Sequence, residues 1–277
     1  MDCERGGGVV GGEQLSDLVT RFVAPNPSPM TLSGTNSYVV GEDSVVVVDP
    51  GPDLAEHVEA LVAAIAARGR LVLSLVTHRH SDHLPAAVRL RERLGAPIVG
   101  HRDLPQVDQA LEHGELITVG AIPIRALATP GHTPEHVCYF LEQEQALFTG
   151  DLILGAGSVV VGDGRGDLAV YMDSLRLVGR LGARRIFPGH GPVVEDPAEK
   201  VREYVEHRDL RERQILAALE AGAQTVRAIV ERLYVEVPAA LHNSAARNVR
   251  AHLYKLEREG RVVAAGDLWR LMRMLGP

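Results

Sequence analysis

Leu71-Val72-Leu73-Ser74-Leu75-Val76-Thr77-His78-Arg79-His80-Ser81-Asp82-His83 is the stretch on which the reading of this chain turns. Its apolar half, Leu71–Val76, is a short run rich in leucine and valine and reads as a buried strand. Its polar half places four metal-capable side chains, His78, His80, Asp82 and His83, within six positions. A loop leaving a rigid strand can turn all four toward one point. Imidazole and carboxylate together suit zinc, with iron or manganese as alternatives.

Three later segments repeat the arrangement of an apolar strand followed by a turn with a ligand-type side chain. Thr129-Pro130-Gly131-His132-Thr133 follows the strand-like Ile122–Leu127. Phe148-Thr149-Gly150-Asp151 presents an aspartate, and Phe187-Pro188-Gly189-His190-Gly191-Pro192 a histidine. A lone loop histidine is usually just exposed, but three independent strand-end turns are hard to obtain by accident. His78, His80, Asp82, His83, His132, Asp151 and His190 make seven candidate metal ligands, too many for one tetrahedral zinc. Seven fit two divalent ions sharing one carboxylate, each with an open position for water.

The rest of the chain supplies a frame for these turns. A Gly-rich arm over residues 1–24 leads into a first strand. Strands are expected at Ser37–Val40, Ser44–Val48, Pro97–Gly100, Gly114–Val119, Val137–Leu141, Ala146–Phe148 and Arg185–Phe187. Helices are expected at Leu54–Arg68, Ala86–Leu94 and Val170–Leu181. The elements lack strict βα alternation, so an α+β fold built as an αββα sandwich fits better than a Rossmann sheet. From Ala198 the pattern turns helical, with helices to Leu219, at Val226–Tyr234 and at Ala239–Glu259. A hairpin follows, Arg261–Ala265 and Leu268–Met272 around Gly266-Asp267. That order is the order of a winged helix. The expected domains are a catalytic domain at 1–199 and a winged-helix-like domain at 200–277.

The ordered set HxHxDH, His132, Asp151 and His190 resembles the metallo-β-lactamase superfamily over about residues 20–195. The segments Pro29–Tyr38, Gly131–His136, Gly150–Gly155, Tyr171–Leu175, Pro188–Pro192 and Lys200–Gln214 resemble one branch, the beta-lactamase-like protein 2 group. That group carries a C-terminal winged-helix domain. The resemblance implies a metal-dependent hydrolase with His78, His80 and His132 on one ion. Asp82, His83 and His190 would then hold a second, with Asp151 bridging. It also implies that Asp82 acts catalytically by orienting a metal-bridging hydroxide. Asp49 matches the family's ligand-orienting aspartate, and a turn-capping role before Pro50-Gly51 is the equal alternative.

The remaining candidates are weaker. His136 is read as a substrate contact or an exposed loop residue, and Thr35 and Asn36 as lining the substrate mouth or merely shaping a loop. Arg79 faces either phosphate or solvent, and Cys138 lies in the core. His57, His101, His113, His207, His242 and His252 read as solvated or helix-surface residues. The glycines of Gly155–Gly166 suggest a mobile loop, and the absence of Gly-Lys-Ser/Thr excludes a nucleoside triphosphate loop.

Composition bounds the partners. The 277 residues are 45% hydrophobic and 23% charged, a globular balance. Two cysteines exclude a disulfide framework, and no apolar run reaches the ~18–20 residues of a membrane span. No signal peptide is visible, so a cytoplasmic enzyme without membrane attachment is expected. The net charge of −7 divides into −11 over the first 199 residues and +4 from Lys200 onward. Arg247, Arg250, Lys255 and Arg258 fall near one face of a predicted helix. With the group resemblance, that face motivates single-stranded RNA as substrate for an endoribonuclease-like phosphodiesterase. Against it stand only 4% aromatic residues to stack bases, and the alternating Glu257 and Glu259. The alternative is a thioesterase or lactonase of the glyoxalase-II type acting on a small acyl substrate. The group also suggests a homodimer.

Overall fold

The computed structural model describes residues 11–161 and 166–272. Cys3, residues 1–10 of the expected N-terminal arm and part of the glycine-rich loop lie outside the described residues. The chain divides into two compact units. The first takes in the chain up to Ala128, Glu135–Gly157 and Ala183–Glu195. The second takes in Thr129–Pro134, Ser158–Gly182 and the chain from Asp196 onward.

The first unit is a sandwich of two sheets. One sheet holds seven strands in chain order: β1 (Glu13–Gln14), β2 (Val19–Val23), β3 (Asn36–Val40), β4 (Asp43–Val48), β5 (Gly69–Leu75), β6 (Ile98–Gly100) and β7 (Gln109–Ala110). β1 to β4 pair antiparallel, and β4 to β7 pair parallel. Two helices serve the parallel connections, α1 (Ala55–Arg68) and α2 (Pro85–Leu94). Pro85 opens α2, where its missing N–H costs nothing. The second sheet runs β12-β11-β10-β9-β8, from β8 (Leu116–Val119), β9 (Ile122–Ala128), β10 (Val137–Leu141), β11 (Ala146–Gly150) and β12 (Arg185–Pro188). Only its β11–β12 pair is parallel.

The valine run of β4 shows why the sheet must be covered on both faces. Successive side chains of a strand point to opposite sides. Val46 and Val48 enter the core between the sheets, with Tyr38, Leu75, Ile124, Tyr139, Phe148 and Phe187. Val45 and Val47 pack instead against Val58, Leu61 and Ile65 of α1 and Leu90 of α2. Tyr38 anchors the inner layer, its ring 5.2 Å from Phe148 and 5.5 Å from Phe187.

The second unit contains α3 (Leu168–Gly179), α4 (Pro197–Glu220), α5 (Val226–Leu233), α6 (His242–Arg258) and the hairpin β13 (Val262–Ala265) and β14 (Leu268–Leu271). Asp167, Asp196 and Thr225 cap α3, α4 and α5 by accepting bonds from first-turn amides. Ile215 and Leu219 of α4, Ile229 of α5, Val249, Leu253 and Leu256 of α6, and Trp269 of β14 form its core. The helix expected at Ala239–Glu259 is interrupted. A 3-10 turn at Ala239–Leu241 after Pro238 precedes α6. No described helix is long and apolar enough to cross a membrane.

Candidate metal centre

The chain leaves β5 at Leu75 and reaches Thr77 beside Asp49, the residue that follows β4. Asp49 is buried, with a φ of 47°, a left-handed turn that aims its carboxylate across the strand ends. The amide of Thr77 donates to Asp49 Oδ1 at 2.7 Å, and the Thr77 hydroxyl donates to Oδ2 at 2.7 Å. His83 Nδ1–H donates to the same Oδ2 at 2.8 Å. Since the Thr77 proton goes to Asp49, Thr77 Oγ1 accepts from His78 Nδ1 at 3.0 Å. Asp49 thus sets the tautomer of His83 directly and of His78 through one hydroxyl, turning both Nε2 atoms to the site. The ligand-orienting reading of Asp49 is the one its bonds support.

The parallel pair β11–β12 delivers the next two side chains. Gly189 N–H donates to the Gly150 carbonyl at 2.9 Å, so Asp151 and His190 leave the sheet side by side. Both glycines are dictated by crowding. A Cβ on Gly150, at φ +44°, would stand 2.4 Å from Thr77 Oγ1. One on Gly189 would stand 2.8 Å from His83 Cε1 and 3.0 Å from Asp151 Oδ1. His190 Nδ1–H donates to the Gly34 carbonyl at 3.2 Å, which again leaves Nε2 facing inward.

Two groups of candidate ligand atoms result. His78, His80 and Asp151 offer atoms within 4.8 Å of one another, and so do Asp82, His83 and His190. Asp151 lies beside both, with Oδ2 3.8 Å from His78 Nε2, and Oδ1 3.5 Å from His83 Nε2 and 3.3 Å from His190 Nε2. Asp82 Oδ2 lies 3.2 Å from His190 Nε2 and 3.6 Å from His83 Nε2. Burial opposes a charge on His83, but Asp82, Asp49 and Asp151 outweigh it and raise its pKa well above the usual range. Burial likewise opposes ionisation of Asp82, yet His83 and His190 hold its pKa at about 2. Three carboxylates converging on buried ring nitrogens create a demand for positive charge, and nitrogen and oxygen donors in this mixture fit divalent ions.

His132 belongs to the second unit, on the connection between β9 and β10. It is buried, and its Nδ1–H donates to the Val160 carbonyl at 2.9 Å, which makes Nε2 its candidate ligand atom. Its turn is braced by α3. Asp167 N–H donates to the Gly131 carbonyl at 2.9 Å, and Ser174 Oγ to the Pro130 carbonyl at 2.7 Å.

Other residues differ from their sequence readings. Asn36 and Thr35 are buried, so they do not line a mouth. Asn36 Nδ2 donates to the carbonyls of Pro188 at 2.8 Å and Gly191 at 2.9 Å, bracketing His190, and Tyr38 OH donates to Pro188 at 2.7 Å. This support for the His190 turn had no signal in the sequence, because polar residues in a loop-to-strand segment do not reveal a partner some 150 positions away. Arg79 meets buried Glu135, Nε to Oε1 at 2.6 Å. His136 is buried, with its ring 5.3 Å from that of His78, and is not an exposed loop residue. His57 and His252, read as surface residues, are buried as well. His57 Nε2 lies 2.9 Å from Ser37 Oγ and 3.1 Å from the Pro50 carbonyl. Cys138 lies in the core, as expected. Of the four basic residues on α6, Lys255 bonds Glu212 at 2.6 Å and Glu259 at 2.7 Å, and Arg258 bonds both oxygens of Asp167 at 2.6 and 2.7 Å.

Comparison with known proteins is consistent with this geometry. Residues 30–190 match the metallo-beta-lactamase superfamily model, and residues 225–269 match the beta-lactamase associated winged helix domain. A beta-lactamase-like protein 2 homolog of Caenorhabditis elegans is 36% identical over 260 residues, 90% of this chain and 87% of the relative. An atrochrysone carboxyl ACP thioesterase of Aspergillus fumigatus is 36% identical over 246 residues, 81% of this chain and 76% of the relative. A metallo-beta-lactamase family protein from Thermus thermophilus superposes with a TM-score of 0.80 at 24% identity, covering 94% of this chain and all of that one.

Proposed function

The chain belongs to the metallo-β-lactamase superfamily of hydrolases, and on that premise we propose that it hydrolyses small acyl thioesters with two divalent metal ions. His78, His80 and Asp151 would hold one ion, and Asp82, His83 and His190 the other, with Asp151 shared, and the family pattern assigns His132 to the first. Bound divalent ions supply a hydroxide nucleophile near neutral pH and polarise the carbonyl under attack. Asp82, an acceptor beside His83 and His190, orients the nucleophile's proton. Asp49 keeps His78 and His83 in the tautomer that presents Nε2. Water adds to the acyl carbon, the carbon–sulfur bond breaks, and carboxylate and thiol leave.

The observation that carries the thioester reading is the state of the cations. Arg79, the basic residue between two candidate ligands, is tied to Glu135, and on α6 Lys255 and Arg258 are tied to acids of their own unit, which leaves Arg247 and Arg250 as the exposed cations of that face. A phosphodiester backbone calls for unpaired cations along its path, whereas a thioester carbonyl does not. The thioesterase named among the relatives points the same way. RNA cleavage is the competing outcome. Purified protein is offered an acyl-CoA or acyl-glutathione thioester and a labelled single-stranded RNA, with and without chelator. Thioester turnover abolished by chelator and by Asp151→Asn is expected. Metal-dependent RNA cleavage without thioester turnover would overturn the substrate reading.

A further inference from the structure

His132 is oriented by a segment that the C-terminal helices hold in place. The Val160 carbonyl accepts from His132 Nδ1 at 2.9 Å. On either side of Val160, the backbone is gripped by a different helix. The Val159 carbonyl accepts from Arg208 Nη2 of α4 at 2.6 Å. The Val161 amide donates to Asn248 Oδ1 of α6 at 2.8 Å, and Arg208 Nη1 reaches the same oxygen at 3.5 Å. Val159 and Val161 are buried, and Arg208 is only 2% exposed. The Arg208 guanidinium also lies over the ring of Tyr171, 5.3 Å from its centroid.

This arrangement is costly unless it has a use. A buried guanidinium loses its hydration, and Arg208 is held here by a carbonyl, an amide oxygen and a ring. Its geometry fixes three consecutive residues whose middle carbonyl meets His132. A carbonyl that bonds the outer nitrogen of a ligating histidine sets the ring's orientation and basicity. The two grips leave that carbonyl little freedom to rotate.

We infer that Asn248 and Arg208 are positioning residues for the metal site, acting through Val159–Val161 on His132. The inference rests on the proposed role of His132 as a ligand. It gives the winged-helix unit a task in the chemistry that requires no nucleic acid.

The test uses the full chain, with zinc affinity measured by competition against a chromophoric chelator and the absorption spectrum of the cobalt(II)-loaded protein. Asn248→Leu removes the acceptor, Asn248→Asp retains an acceptor oxygen, and Arg208→Met removes the second grip. Zinc affinity is expected to fall roughly 10–100-fold in Asn248→Leu, the usual scale for loss of a group that orients a ligand. The cobalt spectrum should shift with it, and Asn248→Asp should recover most of the loss. Far-UV circular dichroism confirms that each variant is folded. His132→Ala separates the two readings. If His132→Ala binds both ions as tightly as the unaltered protein, the ligand role fails. If His132→Ala loses an ion while folded Asn248→Leu and Arg208→Met keep wild-type affinity and spectrum, the positioning role fails. Should Arg208→Met not fold, the Asn248 pair alone decides the matter.

Discussion

At the scale of residues, the candidate ligands were legible and their supports were not. His78, His80, Asp82, His83, His132, Asp151 and His190 stand out because each follows an apolar strand, and six of them converge within the first unit. Asn36, Tyr38 and Asn248 carry no such mark, since each acts on a backbone group far away in the chain. Asp49 was half legible, as a turn residue before Pro50-Gly51. Its role gives a sharp prediction. Asp49→Asn keeps the shape, and asparagine tolerates the left-handed backbone. The amide's NH₂ end, however, cannot accept from His83 or Thr77 as the second oxygen does. Metal affinity should fall about 10–100-fold with the fold intact, as read by chelator competition. Unchanged affinity would reduce Asp49 to a turn former. Gly189→Ala tests the crowding directly. The added methyl would sit against His83 and Asp151, and metal content per chain, measured by mass spectrometry, should drop.

At the scale of elements, strands rich in valine and leucine were readable because both faces are covered, as in β4 and β5. β1 and β7, two residues each, are too short to show any period. Two helices hide a histidine in their buried faces, His57 in α1 and His252 in α6. Periodicity assigns such a residue to the polar face because histidine counts as polar, so its burial was misread. Burial lowers the pKa of His57 to about 4. Burial, then the charges of Arg208 and Lys255, lowers that of His252 to about 3. Both are therefore neutral in the folded protein at neutral pH, whereas in the unfolded chain they take up a proton near pH 6.5. Their contribution to stability is complete above about pH 6.5 and is lost as pH falls toward 4 and 3. The loss has a limiting slope of about 1.4 kcal/mol per pH unit for each group. Neither His252 ring nitrogen has a hydrogen-bond partner among the described residues. His252→Leu should therefore flatten the fall in urea-unfolding free energy between pH 7 and 5 by close to one proton, with no loss of stability at pH 7. A slope equal to that of the unaltered protein would contradict the buried neutral imidazole.

At the scale of the whole molecule, the −11 of the first 199 residues includes Asp49, Asp82 and Asp151, which gather around the candidate ligands. Ions bound there stabilise the native state by mass action, about 4 kcal/mol for each at a thousandfold excess over its dissociation constant. Chelation should therefore lower the thermal midpoint by roughly 10 °C or more. Scanning fluorimetry would read the shift, and zinc should reverse it; a midpoint indifferent to chelator would count against two bound ions. The +4 of the C-terminal part was legible as a composition change, but its meaning was not, because ion pairs such as Lys255–Glu212 and Arg258–Asp167 join residues widely separated in the chain. The grip of Arg208 and Asn248 on Val159–Val161 bears on how such enzymes can be recombined. Every candidate ligand falls between residues 78 and 190, so a cut after residue 199 would look harmless. It would remove both partners of the segment that holds His132. A chimera that exchanges the C-terminal part among relatives should work only when positions 208 and 248 travel with a compatible loop, so the heritable unit of activity is longer than the one that contains the motifs.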